Sequence, residues 1–247
     1  MKIQHLRTSL LPVWHAEPPI TPSVGENHSD SDQATQAIHR HHVIVLGNAY
    51  GVMPYQGPIA VRLAEAGYQA YWAPLRGQPE SFGGEFCIRG AAADIGEIID
   101  TIQRTFNSDD PIYLIGHCAS SLAVLEFLRS SASKDNVRGA ILYSPLTNHL
   151  RIANALPRLA NAGVTHALTS FDLTFSAAAA ATNLSTPILI VEVKDELNRR
   201  RTTHEEIVQI RAAAQNAQLC EVEHGYDDNL AFVDPLATIY STWLTAH

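Results

Sequence analysis

Five residues, Gly116, His117, Cys118, Ala119 and Ser120, interrupt the apolar stretch IYLIGHCASSLAVLEF that runs from Ile112 to Phe127. Its first part reads as a buried strand and its last part as a helix, so the five residues make a tight turn between the two. In such a turn the apical side chain is pushed out above the sheet while small neighbours relieve the crowding around it. Cys118 holds the apex. A thiol with an ordinary pKa near ~8.5 is only a few per cent thiolate at neutral pH. To act as a nucleophile it needs a base within hydrogen-bond reach, and the base needs a carboxylate to orient it. The chain contains 12 histidines, so residue type alone does not select the base. His117 adjoins Cys118 but points the opposite way, which assigns it to packing. His39, His41 and His42, in HRHH, have no carboxylate or cysteine at ligand spacing nearby, so they read as a solvated strand entrance rather than a metal cluster.

The elements that must position this turn follow a repeating pattern. HVIVLG from His42 is a continuous apolar strand, GPIAVRLAEAG a helix closed by Gly67, and YQAYWAP a second strand. Ile95, Ile98, Ile99 and Ile102 mark the buried face of the next helix by their i, i+3, i+4, i+7 spacing. After IYLIG and SSLAVLEFLRS, the strand VRGAILYSP follows. Alternation resumes with the strand PILIVEV, the helix RTTHEEIVQIRAAAQ, the strand AQLCEVE and a last helix running to Trp243. Strands alternating with helices predict an α/β fold, a mostly parallel sheet with helices on both faces. Residues 146–186 break the pattern; alanine-rich, with Pro157 and Gly163, they predict short helices of an inserted cap. Residues 17–40, rich in Pro, Ser and Asp, predict a loop-like N-terminal arm or an edge hairpin. At 247 residues with 46% apolar content, one domain over 1–247 is the expectation.

Charge and cysteine usage exclude several function classes. A formal net charge of -8, with no basic run beyond NRRRTTH, gives no phosphate-tracking face, so nucleic acid is not an expected partner. The early apolar run TSLLPVW is short and broken by Pro12, and no stretch approaches the ~20 apolar residues of a membrane span. The three cysteines, Cys87, Cys118 and Cys220, form no CxxC pair, which argues against a disulfide framework and a zinc site. No metal or cofactor is expected, and a reducing cytoplasm is the expected location.

The turn resembles the nucleophile elbow of the α/β-hydrolase fold, G-x-S-x-G, with cysteine in place of serine and Ser120 in place of the last glycine. The resemblance covers residues 42–247 and implies that fold, with a small helical cap. It also implies a chain order of nucleophile, acid, histidine, with the acid after the strand that follows the cap and the histidine after the last strand. Asp195, in PILIVEVKDELN, and His224, in LCEVEHGYDDN, stand at those two places. Glu192 and Glu196 are the neighbouring alternatives for the acid. Asp227 and Asp228 are expected to cap the final helix, or one of them to support His224. The resemblance further implies an oxyanion hole formed by the amides of Ala119 and of Ala49 in LGNAYGVMPY, with Tyr50 as the neighbour if the register slips by one. APLRGQPESFGG is similar to the D-x-R-G-x-G-x-S segment of the serine-aminopeptidase and lysophospholipase branch. It keeps Arg76, Gly77 and Ser81, with Pro74 and Pro79 replacing the Asp and the second Gly.

Cysteine nucleophiles occur in dienelactone hydrolases, polyhydroxyalkanoate synthases, some assembly-line thioesterase domains and exosortase-associated hydrolases. The last are the most similar, through the Gly-x-Cys-x-small elbow and the Arg-Gly stretch. The resemblance implies an acyl-thioester hydrolase or acyltransferase working through an acyl-cysteine. Its expected substrate is a small acyl compound, free or carried on CoA or a carrier protein. A small ester or lactone hydrolase uses the same chemistry, whereas a ligand-binding protein on this fold is a different class and predicts a degraded triad.

Overall fold

The computed structural model describes residues 1–8, 11–19, 41–47, 55–147, 165, 169–194, 203–223 and 233–247. Eight strands form one sheet: β1 (Lys2–Arg7), β2 (Pro12–Glu17), β3 (His42–Leu46), β4 (Gln69–Ala73), β5 (Ile112–His117), β6 (Val137–Tyr143), β7 (Ile188–Val193) and β8 (Ala217–Val222). Their spatial order is β1-β2-β4-β3-β5-β6-β7-β8. All neighbours from β4 to β8 are parallel. The described helices are α1 (Gln56–Glu65), α2 (Ile88–Phe106), α3 (Ser120–Ser130), α4 (Ser170–Thr174), α5 (Ala177–Ala181), α6 (His204–Ala213) and α7 (Val233–Ala246), with a short 3-10 turn at Ala132–Asn136.

Strand composition follows from this layering. β3 and β5 are buried along their whole length, as strands covered on both faces must be, and so carry unbroken apolar runs rather than alternation. On one face Ile44, Leu114, Leu142 and Ile190 pack with α2, α3, α5 and α6. On the other, Val43, Ile115, Ile141 and Val191 pack with α1 and α7. The chain runs outward from β3 to β4 and returns to β5, so the strand order reverses between β3 and β5. In open parallel sheets the crevice at the carboxyl ends of such a reversal is where ligands bind. Cys118 leaves β5 at that point.

The hairpin β1–β2 is an element the sequence pattern did not announce. It pairs antiparallel, Lys2 opposite Glu17 and Arg7 opposite Pro12, and β2 joins β4 antiparallel at Trp14 opposite Trp72. Pro12 is tolerated because it opens the strand, before the pairing with β4 begins. Residues 20–40 of the predicted arm lie outside the described residues, and Glu17 belongs to β2.

His42 corrects the expectation of a solvated strand entrance. It is buried, its Nδ1 lies 2.9 Å from the Tyr71 hydroxyl, and Phe106 flanks it. Beside it, buried His15 stacks on Tyr71 with ring centroids 4.4 Å apart, and its Nε2 lies 2.7 Å from Gln69 Oε1. Burial pushes the His42 pKa down to about 4, against the attraction of Asp110, and lowers that of His15. A third buried ring, His117, is pushed down to about 4 by burial as well. Histidines whose folded pKa lies below the unfolded value near ~6.5 leave the unfolded chain binding more protons in that window. Stability is therefore expected to fall as pH drops from about 6.5 toward 4, by about 2 kcal/mol at pH 5 for each of the two rings shifted to about 4, His42 and His117. Urea midpoints at pH 7.5, 6 and 5 should decline, and less steeply in His42→Gln; a midpoint constant across that range would contradict the burial argument.

Candidate active site

Cys118 adopts φ +54°. An L-residue pays roughly 1–2 kcal/mol for this left-handed conformation, so the surrounding structure must hold it there. The Cys118 N–H donates to the Tyr143 carbonyl at 2.9 Å, and its carbonyl accepts from Ser121 at 3.2 Å and Leu146 at 3.3 Å. β6 and the segment just beyond it thus clamp the strained residue from the side.

Small residues around the apex each have a reason. A Cβ on Gly116 would stand 3.0 Å from Val124 Cγ2 and 3.1 Å from Ser121 Cα, so glycine lets α3 close on the end of β5. Ser120 is fully buried; its Oγ accepts from the His117 N–H at 2.8 Å and donates to the His117 carbonyl at 3.0 Å. The residue standing where the elbow pattern has its last glycine therefore closes the turn with its own side chain. Ser121 Oγ donates to the Gly116 carbonyl at 3.0 Å, adding a second tie.

Ala119, buried, is the N-cap of α3. Among the described residues no acceptor takes its N–H. Helix N-termini favour negative charge within their first turn. A thiolate on Cys118, and an oxyanion beside the Ala119 amide, would both gain from that field. Cys118 itself is half-buried against the core.

His117, the last residue of β5, is fully buried. Its Nδ1–H donates to the Leu46 carbonyl at 3.2 Å, and its Nε2 is 3.3 Å from the Tyr240 hydroxyl of α7. The expectation that it points away from the nucleophile into packing agrees with this position, although its surroundings are polar. A feature without a sequence signal is Ser144 at the end of β6, with φ +41° and its N–H on the Val191 carbonyl at 2.8 Å. It is a second strained residue next to the elbow.

Asp195, His224 and Ala49 lie outside the described residues, as do Tyr50, Glu196, Asp227 and Asp228. The strands that lead to them are described. Val193 of β7 pairs with Val222 of β8, and the Lys194 N–H donates to the Val222 carbonyl at 2.9 Å. In the sequence, Asp195 follows Val193 and His224 follows Val222 by two residues. Gly47, just before the Ala49 loop, donates its N–H to the Ala73 carbonyl at 3.0 Å. Glu192, the alternative acid within β7, has its carboxylate 2.8 Å from His204 Nδ1.

Glu192, His204 and Glu221 are the described residues whose ligand atoms cluster closely enough to hold a metal ion. The Lys194 ammonium sits 2.8 Å from Glu221 and already neutralises that carboxylate. Arg76, kept from the Arg-Gly motif, serves the scaffold. Its guanidinium and its backbone N–H bond to both oxygens of fully buried Asp94 on α2, with Nη2 2.6 Å from Oδ1. Gly77 has φ +77°, and a Cβ there would meet Phe86 N at 2.2 Å and Thr165 O at 2.3 Å. Only glycine permits the bonds by which Thr165 docks on this turn, from its N–H to the Gly77 carbonyl and from the Phe86 N–H to its own carbonyl.

Residues 148–164 and 166–168 of the predicted cap lie outside the described residues. Its described part contains α4 and α5. Asp172 of α4 is buried and accepts from the Ile88 N–H at the start of α2 at 2.7 Å. Among the described residues no helix is long and apolar enough to cross a membrane.

A family model described as serine aminopeptidase, S33, matches residues 40–223, well over half of the chain. None of the curated proteins matches the sequence. Solved structures with the same fold include the α/β-hydrolase GrgF from Penicillium sp. sh18, 14% identical over 100% of this chain and 98% of its own, with a TM-score of 0.70. Esterase Pf2001 from Pyrococcus furiosus is 14% identical over 99% and 91%, with a TM-score of 0.67. Est1E from Butyrivibrio proteoclasticus, solved with ferulic acid, is 17% identical over 99% and 100%, with a TM-score of 0.65. At these identities the likeness concerns the fold. With the order-reversing parallel sheet and the elbow after β5, that match means that the chain belongs to the serine aminopeptidase S33 family of α/β-hydrolases.

Proposed function

We propose that this hydrolase acts on acyl thioesters or related acyl donors through a covalent acyl-Cys118 intermediate, with hydrolysis or transfer to another acceptor as the second step. The observation that carries the reading is the φ of +54° at Cys118. Backbone strain at a non-glycine residue persists where structure over-determines it, and such strain concentrates at functional sites. A buried structural cysteine has no need of it.

In this reading His224 takes the thiol proton, Asp195 orients His224, and the thiolate attacks the acyl carbon. The carbonyl electrons move onto oxygen, held by the amides of Ala119 and Ala49. Collapse expels the leaving thiol or alcohol, which takes a proton from His224, and leaves the acyl group on Cys118. The sheet order sets the reach required. β8 stands three strands from β5, about 14 Å at the usual inter-strand spacing. His224 stands two residues past Val222, so the backbone supplies at most about 7 Å of that distance and the His224 and Cys118 side chains have to bridge the rest. Asp195, two strands away, has less to cover.

Thioester donors are preferred in this proposal because an acyl-thioester stays activated toward amines and thiols, whereas an acyl-serine ester mostly awaits water. Simple esters are the second reading, supported by a structural neighbour that is itself named an esterase. Comparison of Cys118→Ser with wild type separates transfer from plain hydrolysis. With S-butyryl-N-acetylcysteamine as donor and a panel of amine and thiol acceptors, the serine variant should shift the products toward free butyrate or stall as a stable butyryl-ester. If wild type gives only free acid with every acceptor and the serine variant merely a slower version, transfer is eliminated and a plain hydrolase remains. A reducing cytoplasm, which keeps the thiol free, suits either reading.

A further inference from the structure

We infer that His117 is a positioning residue for acyl transfer: its ring clips the nucleophile elbow to the end of β3 and to α7, and so holds the backbone leading to the oxyanion loop in register with Cys118. The inference rests on the acyl-cysteine reading above and adds a residue that this reading does not use. Three observations carry it. His117 immediately precedes Cys118, and its backbone N–H and carbonyl are both bound by Ser120 Oγ, so the residue belongs rigidly to the elbow. Its Nδ1 lies 3.2 Å from the carbonyl of Leu46, the last residue of β3. A carbonyl can only accept, so Nδ1 carries the proton and Nε2 is left as an acceptor. The Tyr240 hydroxyl, 3.3 Å from Nε2, then donates to it.

One ring therefore joins the ends of two strands that flank the point where strand order reverses, and joins both to α7, the described helix after His224 in the sequence. A leucine would fill the same space without either bond. The ring is fully buried and stays neutral, because burial lowers its pKa to about 4, so the donor and acceptor roles are fixed throughout the neutral range. Leu46 is three residues before Ala49, and Gly47 between them is itself tied to Ala73 of β4. Displacing the Leu46 carbonyl moves the start of the loop on which the second oxyanion donor is expected.

Two substitutions dissect the two bonds. His117→Asn places an amide N–H where Nδ1–H stands and keeps the bond to Leu46, whereas His117→Gln places its amide near Nε2 and keeps only the partner on α7. His117→Leu removes both. Two rates are measured on each variant. Turnover of S-butyryl-N-acetylcysteamine requires an oxyanion hole. Alkylation of Cys118 by iodoacetamide does not: the thiolate forms a sulfur–carbon bond as iodide leaves, and no oxyanion develops.

The expected result is a roughly 10²-fold lower kcat in His117→Leu and His117→Gln, the size of effect that a displacement of about 1 Å produces. KM and the alkylation rate should stay within about twofold, and kcat in His117→Asn should recover to within about fivefold of wild type. A wild-type kcat in His117→Leu, or recovery in the Gln variant and not in Asn, overturns the proposal. So does an alkylation rate that falls in step with kcat, since that marks general collapse of the elbow. If the Leu variant does not fold, the Asn and Gln pair carries the comparison alone. Unimpaired turnover in Cys118→Ala would instead sink the acyl-cysteine reading, while loss of turnover there with unaltered His117 variants sinks this inference only.

Discussion

Replacing Cys118 with alanine is expected to lower turnover of S-butyryl-N-acetylcysteamine by about 10⁴-fold or more, while the melting temperature changes by only a few degrees. The reasoning starts from the backbone. Alanine at φ +54° bears the same left-handed strain as cysteine, and the bonds that impose it come from the Cys118 N–H and carbonyl, which the substitution leaves in place. Only Sγ is lost, from a half-buried site at the edge of the core. Folding and the Ala119 amide therefore survive and the nucleophile does not. Any residual rate would come from oxyanion stabilisation and binding, as in hydrolases stripped of their nucleophile. Labelling by iodoacetamide near neutral pH should disappear as well. Of the other two cysteines, Cys220 has its thiol pKa pushed up by burial and by Glu221. If Cys87 or Cys220 proves the fast-reacting thiol in wild type, the elbow assignment fails.

His224→Ala is expected to cost about 10³-fold in kcat/KM, and Asp195→Asn about 10²-fold. The asymmetry has a physical origin. A thiol ionises far more readily than a hydroxyl, and the N-terminus of α3 favours its anion, so a misplaced imidazole harms it less than it harms a serine. The pH dependence of alkylation gives a second readout: without His224 the midpoint should rise toward the ~8.5 of an ordinary thiol. Unchanged activity in Asp195→Asn with loss in Glu196→Gln would move the acid by one residue. Loss in Glu192→Gln would implicate β7 itself, although that carboxylate is already bonded to His204.

The parallel core was legible in the sequence because strands covered on both faces must be apolar throughout. HVIVL and ILIVEV announce β3 and β7 in this way, and the helix after the elbow begins at Ser120, where SSLAVLEFLRS places it. The hairpin β1–β2 was not legible. Its strands carry histidines at 5 and 15 and open on Pro12, and His15 is accommodated by a stack on Tyr71 and a bond to Gln69, both from a strand far away in sequence. His42 was misread for the same reason, since its partner Tyr71 comes from β4 and local spacing carries no trace of it. At the site, the apex at Cys118 could be read from the alternation of strand, small residues and helix. The role of Ser120 could not, because a serine in place of glycine signals only small size until its hydroxyl is found on the His117 backbone. Arg76 and Gly77 were visible as a motif, but their work, holding Asp94 and admitting Thr165, depends on contacts from α2 and from residue 165.

The covalent intermediate can be weighed. Wild-type protein mixed with excess S-butyryl-N-acetylcysteamine and quenched in acid within the first turnovers should gain the mass of one butyryl group, found after digestion only on the peptide containing Cys118. His224→Ala should gain it more slowly and Cys118→Ala not at all. Turnover by wild type with no added mass under any quench, or a butyryl group found on a residue other than Cys118, would contradict the acyl-cysteine account.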